Sequence, residues 1–531
     1  MLKPNVSHCV SENEVHYNPI NYSKEYFTLE PIEDGTFTIS INKGVTTNEV
    51  RSISYSLDNG ETWVKTDNID NQIVTITTPT VLNKQKVLLK GDADSLAYST
   101  GATTATLTGG TGATIIGSTC KFNAMGNVMS LLFGDEFKDK NTLPNKGLSF
   151  CRLFYANKNL ISAKNLSMPA TSTTVSCYNR MFSSCSNLVT GPKLPATTLA
   201  NSCYEGMFHS CTSLTTTPEL PATTLASSCY YYMFIDCTSL TTAPELPATT
   251  LSGYCYMYMF QGCTSLITAP ELPATTLANY CYYQMFVGCT SLTTAPALTA
   301  TTLASSCYGG MFSGCTSLTT VPELPATTLA ESCYESMFKG CTSLTTAPEL
   351  PAATLADKCY MYMFQGCTSL ITAPELPATA LKYQCYYGMF SNCTSLTEAP
   401  ELPATTLADH CCCQMFWACK NLVTAPTKLQ ATNLATSCYM YMFFGCTSLE
   451  VAPELPATRL GKDCYFQMFK GCANLNYIKA MFTTTPSATY TENWVDGVAS
   501  SGTFVKNAAA TWDVTGTNGI PTGWTVQTAT A

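Results

Sequence analysis

Along residues 171–476 a hydrophobic phrase alternates with a threonine- and proline-rich one. In one copy they read CYYYMFIDC, from Cys229 to Cys237, and TSLTTAPELPATTL, from Thr238 to Leu251. The hydrophobic phrase recurs twelve times, opening at Cys177, Cys203, Cys229, Cys255, Cys281, Cys307, Cys333, Cys359, Cys385, Cys411, Cys438 and Cys464. The step is 26 residues, with a single 27 after Cys411. A fixed period in this range is the signature of a solenoid, in which each repeat buries its apolar face only against its neighbours.

Within the phrase some positions hardly change and others change in every copy. Placed on a helix at about 100° per residue, the near-constant Ala226, Cys229, Tyr230, Met233, Phe234 and Cys237 fill one continuous arc. The changing Ser227, Ser228, Tyr231, Tyr232, Ile235 and Asp236 fill the remainder, and Leu225 is the one constant residue outside the arc. The pattern predicts an amphipathic helix with a packed inner stripe and a free outer face. The second phrase, with Pro244 and Pro247, predicts a short β-segment stacked on its copies. Strands stacking at about 4.8 Å beside helices at about 10 Å predict a curved coil, helices convex and threonines concave.

The flanking residues read differently. Residues 1–24 form an N-terminal arm, a candidate attachment segment. Residues 25–98 hold the alternating runs YFTLEPI, GTFTISI, VRSISYSL, TWVKT, QIVTITT and QKVLLKG, broken by turn signals such as Asn59-Gly60, which predict a small β-sandwich. Residues 99–118 read as a Thr/Gly/Ala-rich loop or linker, 119–170 as an N-terminal solenoid cap with a degenerate repeat, and 477–531 as a β-rich C-terminal cap around Trp494, Trp512 and Trp524. The fold class expected is an α+β repeat, a leucine-rich-repeat solenoid of about twelve coils between these caps.

Composition narrows the function. The chain has 531 residues, 12% of them charged, and a formal net charge of −9. This argues against nucleic acid or an anionic membrane as partner. No apolar run reaches the 18 or so residues that would insert into a bilayer. The start, MLKPNVSHCVSENEVHYNP, has no apolar stretch and is expected not to be a secretory signal. Of 29 cysteines, 24 are the repeat pairs. Eight residues apart on a helix, a pair would be about 12 Å apart, too far for a disulfide, so buried reduced thiols are expected. No Cys/His set has zinc-ligand spacing, and neither a metal nor another cofactor is expected. Four histidines and the absence of nucleophile-elbow, zincin or P-loop motifs point away from catalysis.

The LxxAPxLP and MFxGCxSL phrases resemble the BspA-like leucine-rich repeats, known from surface proteins of gut and oral anaerobes and encoded by some of their phages. The repeat departs from the shorter family repeat by having a longer helical segment. The resemblance implies binding and adhesion and carries no catalytic residues. Separately, Ser56, Asp58, Gly60, Thr62 and Trp63 match an Asp-box hairpin similar to the sialidase-propeller signature; one copy cannot build a propeller, and the box is a hairpin device.

The changing face is then the expected ligand-binding surface. Its residues are Tyr231, Tyr232 and Asp236 in one repeat, and Tyr254, Met257, Tyr258 and Gln261 in the next. Tyr280, Tyr283 and Gln284 follow, then Met361, Tyr362 and Tyr387. His410, Trp417, Met440, Tyr441, Phe444 and Phe466 complete the set. Such a Tyr-rich palette resembles a paratope, whereas drift on a solvated helix favours charged residues. The expected role is a phage virion component that binds a bacterial surface protein or polysaccharide, docks to other virion proteins through its N-terminal region, and is compatible with a homo-oligomer. It would be made in the host cytoplasm. The alternatives are a bacterial cell-surface adhesin and a structural virion decoration or spacer.

Overall fold

The computed structural model describes residues 21–41, 51–68, 74–91, 115–144, 147–487 and 489–529. Most of the N-terminal arm and most of the expected linker therefore lie outside the described residues. The six alternating runs carry strands β1 (Phe27–Pro31), β2 (Phe37–Ile41), β3 (Arg51–Ser56), β4 (Val64–Asn68), β5 (Val74–Thr77) and β6 (Val87–Gly91). Two more follow, β7 (Ile115–Ser118) and β8 (Phe122–Asn127), within the stretches expected as linker and cap. One sheet has the order β4-β3-β6-β1-β8 and continues into β9 (Leu160–Ser167); the other is β5-β2-β7. Alternate residues of each sheet face the other, and Phe37 meets Phe122 edge-on at 5.1 Å. The Asp-box forms the β3–β4 turn: the Ser56 hydroxyl donates to Asp58, the Thr62 amide to Asp58 at 2.9 Å, and the Trp63 indole to the Gly60 carbonyl at 3.1 Å.

The sandwich merges into the solenoid. β9 pairs in parallel with β8, and the Ile116 amide donates to the Leu153 carbonyl of the degenerate first coil. Phe154 in that coil touches Phe27 and Phe122 on one side and stacks on Phe182 at 5.4 Å on the other. One hydrophobic core consequently runs from Phe27 to Trp524.

The expected helix is absent. Cys229–Cys237 and its copies are ribbons of overlapping turns, and among the described residues the only α-helix is the single turn Ser130–Phe133. Alternate amides donate within the ribbon, three residues back: Cys229 to Ala226, Tyr231 to Ser228, Met233 to Tyr230, Ile235 to Tyr232 and Cys237 to Phe234. The amides between them donate to the next coil: Ser228 to Gly253, Tyr230 to Cys255, Tyr232 to Met257, Phe234 to Met259 and Asp236 to Gln261. No backbone polar group along the ribbon has to be buried unpaired, which is the requirement a helix would otherwise have met.

Every fourth residue of the ribbon makes this possible. Ser228, Tyr232 and Asp236 have φ of 55°, 59° and 57°, and the equivalent positions repeat the same left-handed backbone from Ser176 to Gly471. Each is the third residue of a turn, where type II turns call for Gly or Asn. The result is two residues in and two out. Cys229, Tyr230, Met233, Phe234 and Cys237 are buried, as the wheel placed them, because a four-residue period and a 3.6-residue period sort these nine positions alike.

The ribbon stacks as closely as a sheet. Buried Tyr230 lies parallel to Tyr204 at 5.9 Å and Tyr256 at 5.7 Å, and Phe234 to Phe208 at 5.5 Å and Phe260 at 5.6 Å. The threonine side is held by single parallel bridges, Thr242 to Thr268 to Thr294 and Thr224 to Thr250. With no helices near 10 Å apart, the reason for a convex helical side is gone. The second cysteine of each coil ties it to the one before. Cys237 Sγ donates to the Phe208 carbonyl of the preceding coil at 3.1 Å, and the same contact recurs from Cys185 to Cys472. No disulfide forms among the described residues, and the described cysteines are buried.

Beyond residue 476 the coil pattern continues. Tyr465, Gln467, Phe469 and Gly471 donate to Tyr490, Glu492, Trp494 and Asp496. β10 (Tyr477–Ala480), β11 (Thr503–Lys506) and β12 (Thr525–Thr528) pair in parallel as a three-stranded sheet. Three buried indoles finish the core, donating to the carbonyls of Gly519 (from Trp494), Phe482 (from Trp512) and Ala499 (from Trp524) at 2.8–2.9 Å.

Candidate functional site

The outward pairs of each ribbon form one face, two side chains wide and many coils long. The expected residues all lie on it. Tyr254 and Asp236 are exposed, and Tyr231, Tyr232, Met257, Tyr258, Gln261, Tyr280, Tyr283, Gln284, Met361, Tyr362, Tyr387, His410, Trp417, Met440, Tyr441, Phe444 and Phe466 are half-buried. Half-burial follows from the ribbon, because stacked coils let each outward side chain lean on the next.

The structure gathers the aromatic members into separate groups. Tyr232 stacks on Tyr258 at 5.0 Å and 8°, and Tyr254 on Tyr280 at 5.1 Å and 6°. Tyr283 joins the two pairs, edge-on to Tyr258 at 5.8 Å and to Tyr280 at 5.5 Å, while Tyr231 lies 3.8 Å from Tyr232. A second group pairs Tyr362 with Tyr387 at 5.2 Å, with the Lys339 ammonium 5.3 Å from the Tyr362 ring. In a third, Phe444 touches Trp417 and Tyr441, and Tyr441 meets Phe466. His410 stands apart, edge-on to Tyr383 at 6.2 Å. Tyr383 was missed by sequence reasoning, although it occupies a changing position two residues before Cys385.

Burial first, then the hydrogen bond and proximity of Tyr232, push the Tyr231 hydroxyl well above the ordinary tyrosine range, and burial also raises Tyr258 and Tyr283. Among the described residues no group of three or more His, Cys, Asp or Glu could hold a metal ion, and no helix is long and apolar enough to cross a membrane.

Several of these tyrosines hold a left-handed backbone. Tyr232, Tyr254, Tyr258, Tyr280, Tyr362 and Tyr441 all sit at φ between 56° and 62°. A side chain in that region costs on the order of 1–3 kcal/mol relative to a relaxed backbone. Glycine avoids the cost and holds the Tyr232-equivalent position at Gly206, Gly310 and Gly388. We expect Tyr258→Gly to leave stability within about 1 kcal/mol, the relief of backbone strain offsetting lost ring contacts of about 0.5–1.5 kcal/mol. Urea denaturation checks this; a loss of several kcal/mol would mean that the ring is structural.

The opposite face offers the rival surface. Open grooves recur between successive APELP segments, one of 270 Å³ between Ala243 and Pro273 and one of 510 Å³ around Glu375, Pro377 and Glu401. Glu401 there is occupied, accepting from the amide and hydroxyl of Thr427.

A family model described as the BspA type leucine rich repeat region matches residues 153–293, 200–318, 230–371 and 285–423, which together span just over half of the chain. No curated protein matches the chain. A solved structure of a TLR13–ssRNA13 complex is similar at 14% identity with a TM-score of 0.21, covering 66% of this chain and 53% of that one. This chain therefore spans about half the length of that structure.

Proposed function

The chain belongs to the BspA-type leucine-rich repeat family, and on that premise we propose that it is a phage virion component that attaches to the bacterial surface through its outward turn face. Leucine-rich repeats of this type are non-enzymatic binding modules. The observation that carries the choice of face is that Tyr232, Tyr258, Tyr362 and Tyr441 are held at positive φ at the position where Gly206, Gly310 and Gly388 stand in other coils. Buried, unpaired thiols support folding in a reducing cytoplasm, the route of a virion protein. In this reading the sandwich end serves attachment to the particle, since the core runs unbroken from it into the coils.

The chain is expected to co-purify with assembled virions and to bind a subset of gut or oral anaerobic bacteria. Resetting Tyr231, Tyr232, Tyr254, Met257, Tyr258, Tyr283 and Gln284 to Ser and Gly should abolish cell binding with folding intact. A chain found on bacterial cells and never on particles would favour the cell-surface adhesin; one on particles with no cell binding would favour a decoration or spacer. The recurrent grooves favour a second reading, in which the uniform threonine face binds. Loss of binding on mutating Thr242, Thr268 and Thr294, with the tyrosine variant still active, would establish it.

A further inference from the structure

The six tyrosines of the Cys229, Cys255 and Cys281 coils form a bounded shelf. Its rings advance by one coil at a time, with parallel pairs at 5.0 and 5.1 Å. The next coil ends it, because Gly309 and Gly310 stand where Tyr283 and Gln284 would be repeated. A Cβ on Gly309 would lie 2.9 Å from the Tyr283 ring, and one on Gly310 2.7 Å from Gln284 Cγ. Glycine at this step lets both side chains fold over the following coil and leaves a drop beyond them. On the other side Gly206 and Ser210 precede the shelf.

Charge defines what the shelf can take. From Leu194 to Phe338 the chain contains no lysine or arginine. Around it stand three carboxylates, Asp236 in its first coil and Glu205 and Glu335, whose fields reach Tyr231 and Tyr283, and one cation, Arg180, whose side chain lies over Gly206 one coil before the shelf. An anionic polymer finds no cation on the shelf itself and more carboxylates than cations around it, so nucleic acid, teichoic-type phosphate chains and sulfated or uronic-acid glycans are poor fits.

Shape separates the remaining candidates. The described grooves that flank the APELP segments lie on the other face, and the shelf is a shallow surface of half-exposed rings. Protein partners anchor their largest energies in well-packed, desolvated pockets. A linear sugar chain instead offers an apolar ring face at regular steps, with hydroxyls round its edge. With the rings paired face to face, each tyrosine presents an apolar ring edge and a hydroxyl together. Gln261, Asn279 and Gln284 line the same coils with amides, and the Gln284 amide is already held 3.0 Å from the Tyr283 hydroxyl.

We propose that this shelf is a subsite for a neutral polysaccharide chain laid across the three coils, its sugar rings and hydroxyls packed along the outer edges and hydroxyls of the parallel pairs Tyr232–Tyr258 and Tyr254–Tyr280, whose inner faces cover each other. The proposal rests on the reading that the outward face recognises bacteria, and it names the ligand class for that face.

The test uses the full chain and a strain that it binds. Protein-free polysaccharide extracted from that strain is separated by anion exchange into neutral and acidic fractions, each offered as competitor for cell binding. The neutral fraction is expected to compete, and periodate treatment of the cells to abolish binding while proteinase treatment does not. The variant Tyr232→Gly/Tyr258→Gly, which places at each position the residue found in other coils, should bind the neutral fraction at least tenfold more weakly with an unchanged melting temperature. Competition by the acidic fraction alone overturns the proposal, as does binding that resists periodate and is lost to proteinase. If the double variant loses cell binding while periodate has no effect, the outward face remains the recognition surface and only the glycan is excluded. Equal binding by variant and parent removes the shelf itself, and a chain that binds no strain overturns both readings.

Discussion

Replacing Phe234 by alanine is expected to lower stability by about 3–5 kcal/mol. The ring is fully buried and lies between two parallel neighbours, Phe208 at 5.5 Å and Phe260 at 5.6 Å. Its removal leaves a void that stacked coils cannot close, because each is tied to the next by five backbone hydrogen bonds along the ribbon. The damage falls on two coil interfaces at once. A solenoid's stability is a sum over such interfaces, so amide exchange should rise first in the Cys203, Cys229 and Cys255 coils and only later elsewhere. Met233→Ala belongs to the same class at about 2–5 kcal/mol. Tyr258→Gly is the contrast. If Phe234→Ala and Tyr258→Gly destabilised the chain equally, the division between inner ladder and outer shelf would be wrong.

That division was legible in the sequence, and the backbone beneath it was not. Twelve copies reveal which residues are held by packing, since only burial keeps Cys229, Tyr230, Met233, Phe234 and Cys237 nearly constant. Hydrophobic periodicity could not choose between helix and turn ribbon over nine residues. The deciding signal was present in the changing positions. Glycine recurs as Gly262, Gly288, Gly314, Gly340, Gly366, Gly445 and Gly471, always seven residues after the opening cysteine, where a helix would be weakened by it. All seven have φ above 70°, and the tyrosines found four residues earlier in several copies share that hand. Their cost therefore became visible only with the backbone. The sandwich strands β1 to β6 follow their alternating runs, whereas the joining of β8 to β9 is a long-range pairing that no local pattern encodes. The aromatic groups were equally hidden, since membership depends on which coils are neighbours and where Gly309 and Gly388 leave room for Tyr283 and Tyr362.

Alkali should unfold the solenoid well before it titrates the folded thiols. Burial pushes Cys255, Cys263, Cys307 and Cys315 up to about 12, and raises Cys229 and Cys237 well above the ordinary thiol range. In the unfolded chain a thiol ionises near 8.5. Above that pH the unfolded state binds fewer protons than the folded one, so stability falls as pH rises, by about 1.4 kcal/mol per pH unit for each thiol. The contribution is complete below the unfolded value and is lost progressively up to about 12. Each coil carries two such thiols, a slope of about 3 kcal/mol per pH unit per coil, and the buried tyrosine beside them, Tyr230 or Tyr256, adds to it above about pH 10. Unfolding is therefore expected between about pH 9 and 11 in the presence of reductant. Circular dichroism and thiolate absorbance should change together, with native thiols unreactive to a disulfide reagent at pH 8 and exposed in denaturant. Cys255→Ala with Cys263→Ala should flatten the pH slope by about one coil's worth while lowering stability at pH 7 through the lost thiol hydrogen bond from Cys263 to Phe234. Thiolate absorbance that rises smoothly from pH 8 without loss of structure would show the cysteines to be accessible, and the ladder of Sγ–H bonds to phenylalanine carbonyls would then be wrong.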